Sequence, residues 1–85
     1  MYTILFSDSA LRQLKKLERE IQERLTKALE RIRIRPEAYV QKLVGDPGYK
    51  LRVGDYRMIM DIDQGKLHIL VIKVGHRKNV YDRIR

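Results

Sequence analysis

The chain has 85 residues, 44% of them hydrophobic and 35% charged, which is the composition of one folded domain with a modest core. The absence of cysteine excludes disulfides, thiol catalysis and Cys-based zinc sites, and no apolar run approaches the roughly 18 residues of a membrane-spanning helix. A net charge of +8 calls for an acidic partner: nucleic acid, an anionic membrane or an acidic protein.

The N-terminus has no basic leader before its short apolar stretch. It therefore does not read as a signal peptide, and the expected location is the cytoplasm. Residues 2–6, rich in aromatic and β-branched side chains, predict a first strand. Ser7, Asp8 and Ser9 supply helix N-cap candidates. Leu11, Leu14, Leu17, Ile21, Leu25, Ala28, Leu29 and Ile32 then recur at spacings of three and four, which predicts amphipathic helix with one buried stripe. Glu20 with Arg24 and Glu23 with Lys27 add i,i+4 pairs in the supporting order. The pattern fits one helix or two, with a possible break at residues 17–19 that contains neither Gly nor Pro. Pro36 ends the helical region at or before Arg35.

Residues 36–48, with two prolines and two glycines, form a connector. Residues 50–53 predict a strand running into Gly54-Asp55, a pair suited to a two-residue hairpin turn. Residues 56–62 predict its partner. Asp63-Gln64-Gly65 predicts the next turn, and residues 66–74 the longest strand. The tail from Gly75 onward is basic and is expected to be a short helix or an irregular end. The whole chain, residues 1–85, reads as a single domain.

Register places the charges. A two-residue loop at Gly54-Asp55 sets Val53 against Tyr56 and Arg52 against Arg57. Lys50, Arg52 and Arg57 then share one sheet face, while Leu51, Val53, Tyr56, Met58 and Met60 share the face that packs on the helices. A three-residue second loop, with Gly65 left-handed, puts Lys73 and Arg77 on the face of Arg57. A two- or four-residue loop puts them on the other, because a slip of one residue inverts every side chain. Gly at the third position favours the three-residue form.

The positive charge is concentrated in this second half. Residues 1–46 carry 10 Lys/Arg against 7 Asp/Glu, and residues 47–85 carry 9 against 4. Arginines facing each other across two strands repel. A polyanion relieves that repulsion, so Arg57 and Arg77 read as phosphate clamps with Lys50, Arg52 and Lys78 around them. A merely solvated basic face is the competing reading. If the site does chemistry, RNA suits it, because RNA carries its own nucleophile in the 2′-hydroxyl. The enzyme must then supply a base, cations for the phosphorane charge and an acid for the 5′-oxygen. Lys50 is the candidate base, since adjacent arginines penalise its positive charge. Arg77 is the candidate for stabilising the transition state, and Tyr81 for stacking on the base or ribose. Lys73 and His76 are further candidates for contacting RNA phosphate, His76 also as an acid. His76 adjoins Arg77 and joins it only if the strand has ended, since adjacent strand residues point to opposite faces. His68, mid-strand, reads as structural. No cluster of metal-ligating residues is apparent.

Two segments resemble a known family. Lys50-Leu51-Arg52-Val53-Gly54-Asp55-Tyr56-Arg57, followed by Val71-Ile72-Lys73-Val74-Gly75-His76-Arg77-Lys78-Asn79-Val80-Tyr81, is similar to the RelE family of bacterial and archaeal toxins. The resemblance runs over essentially the whole chain. It implies an α+β, RelE/ParE-like fold: an antiparallel sheet, two N-terminal helices packed on one face, and a short C-terminal helix or tail. It implies a metal-independent, cofactor-free endoribonuclease that cuts mRNA in the ribosomal A site and leaves a 2′,3′-cyclic phosphate. Its partners would be the ribosome, mRNA and a cognate RelB-like antitoxin, with no membrane. The family's catalytic lysine falls on Lys50, its phosphate-contacting arginines on Arg57 and Arg77, its stacking tyrosine on Tyr81, and a further basic position on Arg52. Some members carry a second lysine where this chain has Gly48. Two alternatives stay open: a ParE-like inhibitor of DNA gyrase on the same fold, and a non-catalytic nucleic-acid-binding relative.

Overall fold

Ser7 ends the first strand and starts the first helix, and its hydrogen bonds explain both. Its N–H donates to the Val71 carbonyl at 2.9 Å, closing the ladder of strand β1 (Thr3–Phe6). Its hydroxyl accepts from Ala10 N–H at 3.0 Å, capping helix α1 (Asp8–Lys15), and donates to the Ile72 carbonyl at 3.3 Å. The computed structural model describes residues 1–80.

The helical region breaks in two, with α2 spanning Arg19–Ile32. No Gly or Pro is needed, because the broken turn is satisfied by other means. Lys16 and Leu17 donate to the Gln13 and Leu14 carbonyls, tightening the end of α1. The Gln22 side chain then reaches back to the Leu17 carbonyl at 2.7 Å. A 3-10 turn at Pro36–Ala38 follows, with Pro36 at its start.

Four more strands complete a five-stranded sheet: β2 (Gln41–Lys42), β3 (Tyr49–Val53), β4 (Tyr56–Asp63) and β5 (His68–His76), in the order β1-β5-β4-β3-β2. β2 to β5 are antiparallel, as expected. The sheet as a whole is mixed, because β1 pairs in parallel with β5, Thr3 opposite His68 and Phe6 opposite Val71. The parallel pairing is possible because two helices and three strands lie between β1 and β5. The short β2 lies inside what the sequence presents as a connector. Leu25, Leu29 and Ile32 of α2 pack with Met58, Met60 and Val71, so the helices cover one face of the sheet, as predicted.

The β3–β4 hairpin has the predicted register, Val53 opposite Tyr56 and Arg52 opposite Arg57. Gly54 has φ +59°, which fits glycine at the first central position of the tight turn. The β4–β5 loop departs from expectation. Asp63 pairs with His68, so the loop has four residues, 64–67, and its left-handed residue is Leu67 at φ +55° rather than Gly65. Two bonds hold Leu67 there: its carbonyl accepts from Thr3 N–H at 2.8 Å, and Lys66 N–H closes the loop on Asp63 Oδ1 at 3.0 Å.

A four-residue loop alone would carry Lys73 and Arg77 to the helix side. A β-bulge reverses this. Met60 pairs with Val71 but Ile59 pairs with Lys73, leaving Ile72 as the extra residue. Beyond it Lys73 and Gly75 lie on the face of Ile59 and Arg57, while Val74 is buried with Met58. The expected face is reached by a different route.

Beyond the end of β1, the free edge of β5 is closed by α1. Val74 N–H donates to Gln13 Oε1 at 2.8 Å, beside the Ser7 bond to Ile72. Side chains thus take the groups that would otherwise template another strand.

Candidate active site

The sheet face turned away from the helices carries the cations. Ile59 stands at its centre, fully buried, with Lys50 opposite on β3 and Lys73 opposite on β5. Two residues along, Arg57 faces Arg52 on one side and Gly75 on the other. Lys50, Arg57 and Lys73 are half-buried, and Arg52 is exposed. Each of Lys50 and Arg57 also has an interaction partner within the chain.

Arg77 extends the β5 ladder by one rung. Its N–H donates to the Asp55 carbonyl at 2.8 Å, which continues the alternation and sets its side chain on the cationic face. Its Nε lies 3.9 Å from Asp55 Oδ1, with the two side chains 47% and 70% exposed. At that exposure the pair contributes little stability, and the guanidinium stays available to a ligand. Arg52 and Arg57 oppose each other at Cβ separations of roughly 4.5–5.5 Å. In water that repulsion costs about 1 kcal/mol or less, and a phosphate between them turns it into attraction.

What covers Ile59 is a second small core, formed with Leu43 and Val80. Gly75 makes room for it: a Cβ there would lie 2.7 Å from Val80 Cγ2. The turn after β5 therefore folds back over the cationic face and pins Val80 between the cations. The signal was present in the sequence, since the hairpin register already puts Ile59 alone among Lys50, Arg52 and Arg57. Gly75→Ala forces Val80 out, and overpacking of this kind costs about 1–3 kcal/mol. Denaturant unfolding should show a lowered midpoint at unchanged slope. Combining it with Val80→Ala should cost less than the sum of the two single changes.

The structure thus brings Lys50, Arg52, Arg57, Lys73 and Arg77 to one face. It does not bring His76 there, because β5 continues through His76 and turns its ring to the helix side. The ring meets Tyr56 edge to face, with centroids 5.5 Å apart and planes at 76°. Lys78 is exposed in the turn that follows. Tyr81 lies outside the described residues. Among the described residues no group of three or more His, Asp or Glu is arranged to hold a metal, and no helix is long and apolar enough to cross a membrane.

Comparisons with known proteins agree with this fold. The sequence model of the ParE toxin of type II toxin-antitoxin systems, parDE, matches residues 4–81. The mRNA interferase toxin RelE of Escherichia coli strain K12 is 32% identical over 80 residues, covering 91% of this chain and 84% of that protein. Among solved structures, the intact RelBE toxin-antitoxin complex of E. coli superposes with a TM-score of 0.79 at 32% identity, covering 89% of this chain and 96% of the other. The RelBE2 toxin-antitoxin complex of Mycobacterium tuberculosis gives 0.82 at 26%, covering 89% and 98%. With the family match, the identity over most of the chain and the shared fold in agreement, the chain belongs to the RelE/ParE superfamily of type II toxins.

Proposed function

We propose that the protein is the toxin of a type II toxin-antitoxin system and acts as a ribosome-dependent endoribonuclease on mRNA in the A site. The observation that carries this reading is the convergence of Lys50, Arg57 and Arg77 on one sheet face, the one turned away from the helices. The relative named mRNA interferase, and the solved complexes with antitoxins, support it.

In the reaction, Lys50 takes the proton of the 2′-hydroxyl and the 2′-oxygen attacks the adjacent phosphorus. The bond to the 5′-oxygen breaks, and that oxygen leaves with a proton from Arg77-ordered solvent. The products are a 2′,3′-cyclic phosphate and a 5′-hydroxyl. Arg57 and Arg77 stabilise the charge that builds on the phosphorane oxygens. Arg52, Lys73 and Lys78 attract the flanking phosphates, and Tyr81 stacks on the substrate. The ribosome supplies the RNA geometry, so naked RNA is a poor substrate. The cell compartment is the cytoplasm, and an acidic RelB-like antitoxin neutralises the basic face.

In a translating extract the protein should cut mRNA at A-site codons, mapped by toeprinting, and leave free RNA largely intact. Intact mRNA with inhibited DNA supercoiling would replace this reading with the gyrase one. Binding to single-stranded RNA should weaken with salt along a log–log slope between roughly −2 and −4, from three to five phosphate contacts. A flat response would remove the cationic face as the contact surface.

A further inference from the structure

The His76 ring is turned to the helix side, yet its contacts bracket Arg77. Its Nδ1 accepts the Lys78 backbone N–H at 3.2 Å. Its carbonyl accepts from Asn79 N–H at 2.8 Å and from Val80 N–H at 3.1 Å. Its ring is held edge-on by Tyr56 and lines a cleft with Gln13 of α1 and with Lys16 and Leu17 just beyond that helix. On the other side of Arg77, the backbone is tied to Asp55 at 2.8 Å. We propose that His76 is a positioning residue for Arg77: its imidazole Nδ1 closes the turn on which Arg77 stands and fixes where the guanidinium enters the cationic face.

The inference rests on the reading above, in which Arg77 clamps the scissile phosphate. Nδ1 acts here as a hydrogen-bond acceptor inside the turn, a structural use of histidine distinct from a phosphate contact. Two neighbouring turn bonds run to the same residue's carbonyl, and Val80 is buried against Ile59 and Leu43. The turn is therefore anchored at both ends, and the imidazole holds its middle. Small displacements matter here, because about 1 Å of misplacement can lower a rate roughly 100-fold.

The test compares His76→Ala, His76→Asn and His76→Gln in ribosome-dependent cleavage, with kcat and KM resolved. The Asn side-chain oxygen can take the place of Nδ1, whereas Gln reaches the place of Nε2. Expected are a fall in kcat of about 10- to 100-fold for His76→Ala with KM little changed, recovery to within about threefold by Asn, and no recovery by Gln. In an Arg77→Ala background, His76→Ala should add almost nothing. Recovery by Gln and not Asn, or full activity in His76→Ala, overturns the proposal. Amide exchange at Lys78 reads the same contact without activity: protection should survive in Asn and fall in Ala and Gln, and equal exchange in all three also overturns it. A wild-type protein that leaves ribosome-bound mRNA uncut would instead overturn the reading of the toxin as an mRNA endonuclease.

Discussion

Arg77→Ala lowers the rate of A-site mRNA cleavage by about 10²- to 10³-fold, the loss of about 2.7–4 kcal/mol that follows removal of one preorganised charge donor at a developing oxyanion. The expectation rests on where Arg77 stands. Its backbone is fixed to Asp55, it shares a face with Arg57, and among the described residues its side chain has only a long, exposed ion pair to Asp55. Removing such a side chain leaves the fold intact, because an exposed pair contributes roughly 0–1 kcal/mol. Single-turnover cleavage on programmed ribosomes should therefore collapse while thermal unfolding barely moves. Arg77→Lys should recover only part of the rate, since a point charge cannot reproduce the planar fork that meets two phosphate oxygens. A rate within threefold of wild type in Arg77→Ala would take Arg77 out of the chemistry.

The contrast between Arg77 and His76 shows what local sequence carries and what it does not. The β3–β4 hairpin was legible because Gly54-Asp55 dictates a two-residue turn, and that turn alone sets Lys50, Arg52 and Arg57 on one face. The second loop was not. Gly65 invites a three-residue turn, yet the chain uses Leu67 in the left-handed region, held by its bond from Thr3 in β1. That contact joins the first strand to the last hairpin loop, and nothing near Gly65 announces it. The bulge at Ile72 is equally silent, since an extra apolar residue in an apolar strand leaves no compositional mark. The two departures offset each other, so Lys73 reaches the expected face although the loop that was to put it there does not exist. The split between α1 and α2 falls where the sequence left a break possible, and it gives the two N-terminal helices that the resemblance implied. What the periodicity did not mark is its cause, since Gln22, an ordinary helix residue by composition, supplies the cap for Leu17. The parallel seat of β1 beside β5 is tertiary in origin and follows from packing rather than from any motif.

Lys50→Arg should be nearly as damaging as Lys50→Ala, each lowering kcat by about 10²- to 10⁴-fold, the range for loss of a positioned general base. The comparison separates two roles that a single alanine change confounds. Lys50 lies opposite the buried Ile59 and shares its face with Arg52 and Arg57, so a cation is well placed there for phosphate in either case. Arginine keeps the positive charge and the reach but cannot give up its proton at any working pH. If Lys50 takes the 2′-hydroxyl proton, arginine fails as a base while mRNA binding persists, and the defect appears in kcat with KM little changed. If Lys50 only steadies phosphate charge, arginine restores most of the rate. The base must then come from elsewhere, and two residues before Lys50 this chain offers only Gly48. A substrate with a 2′-deoxy nucleotide at the cleavage position completes the argument: it should bind and remain uncut in every variant, since the proton at issue is absent from it.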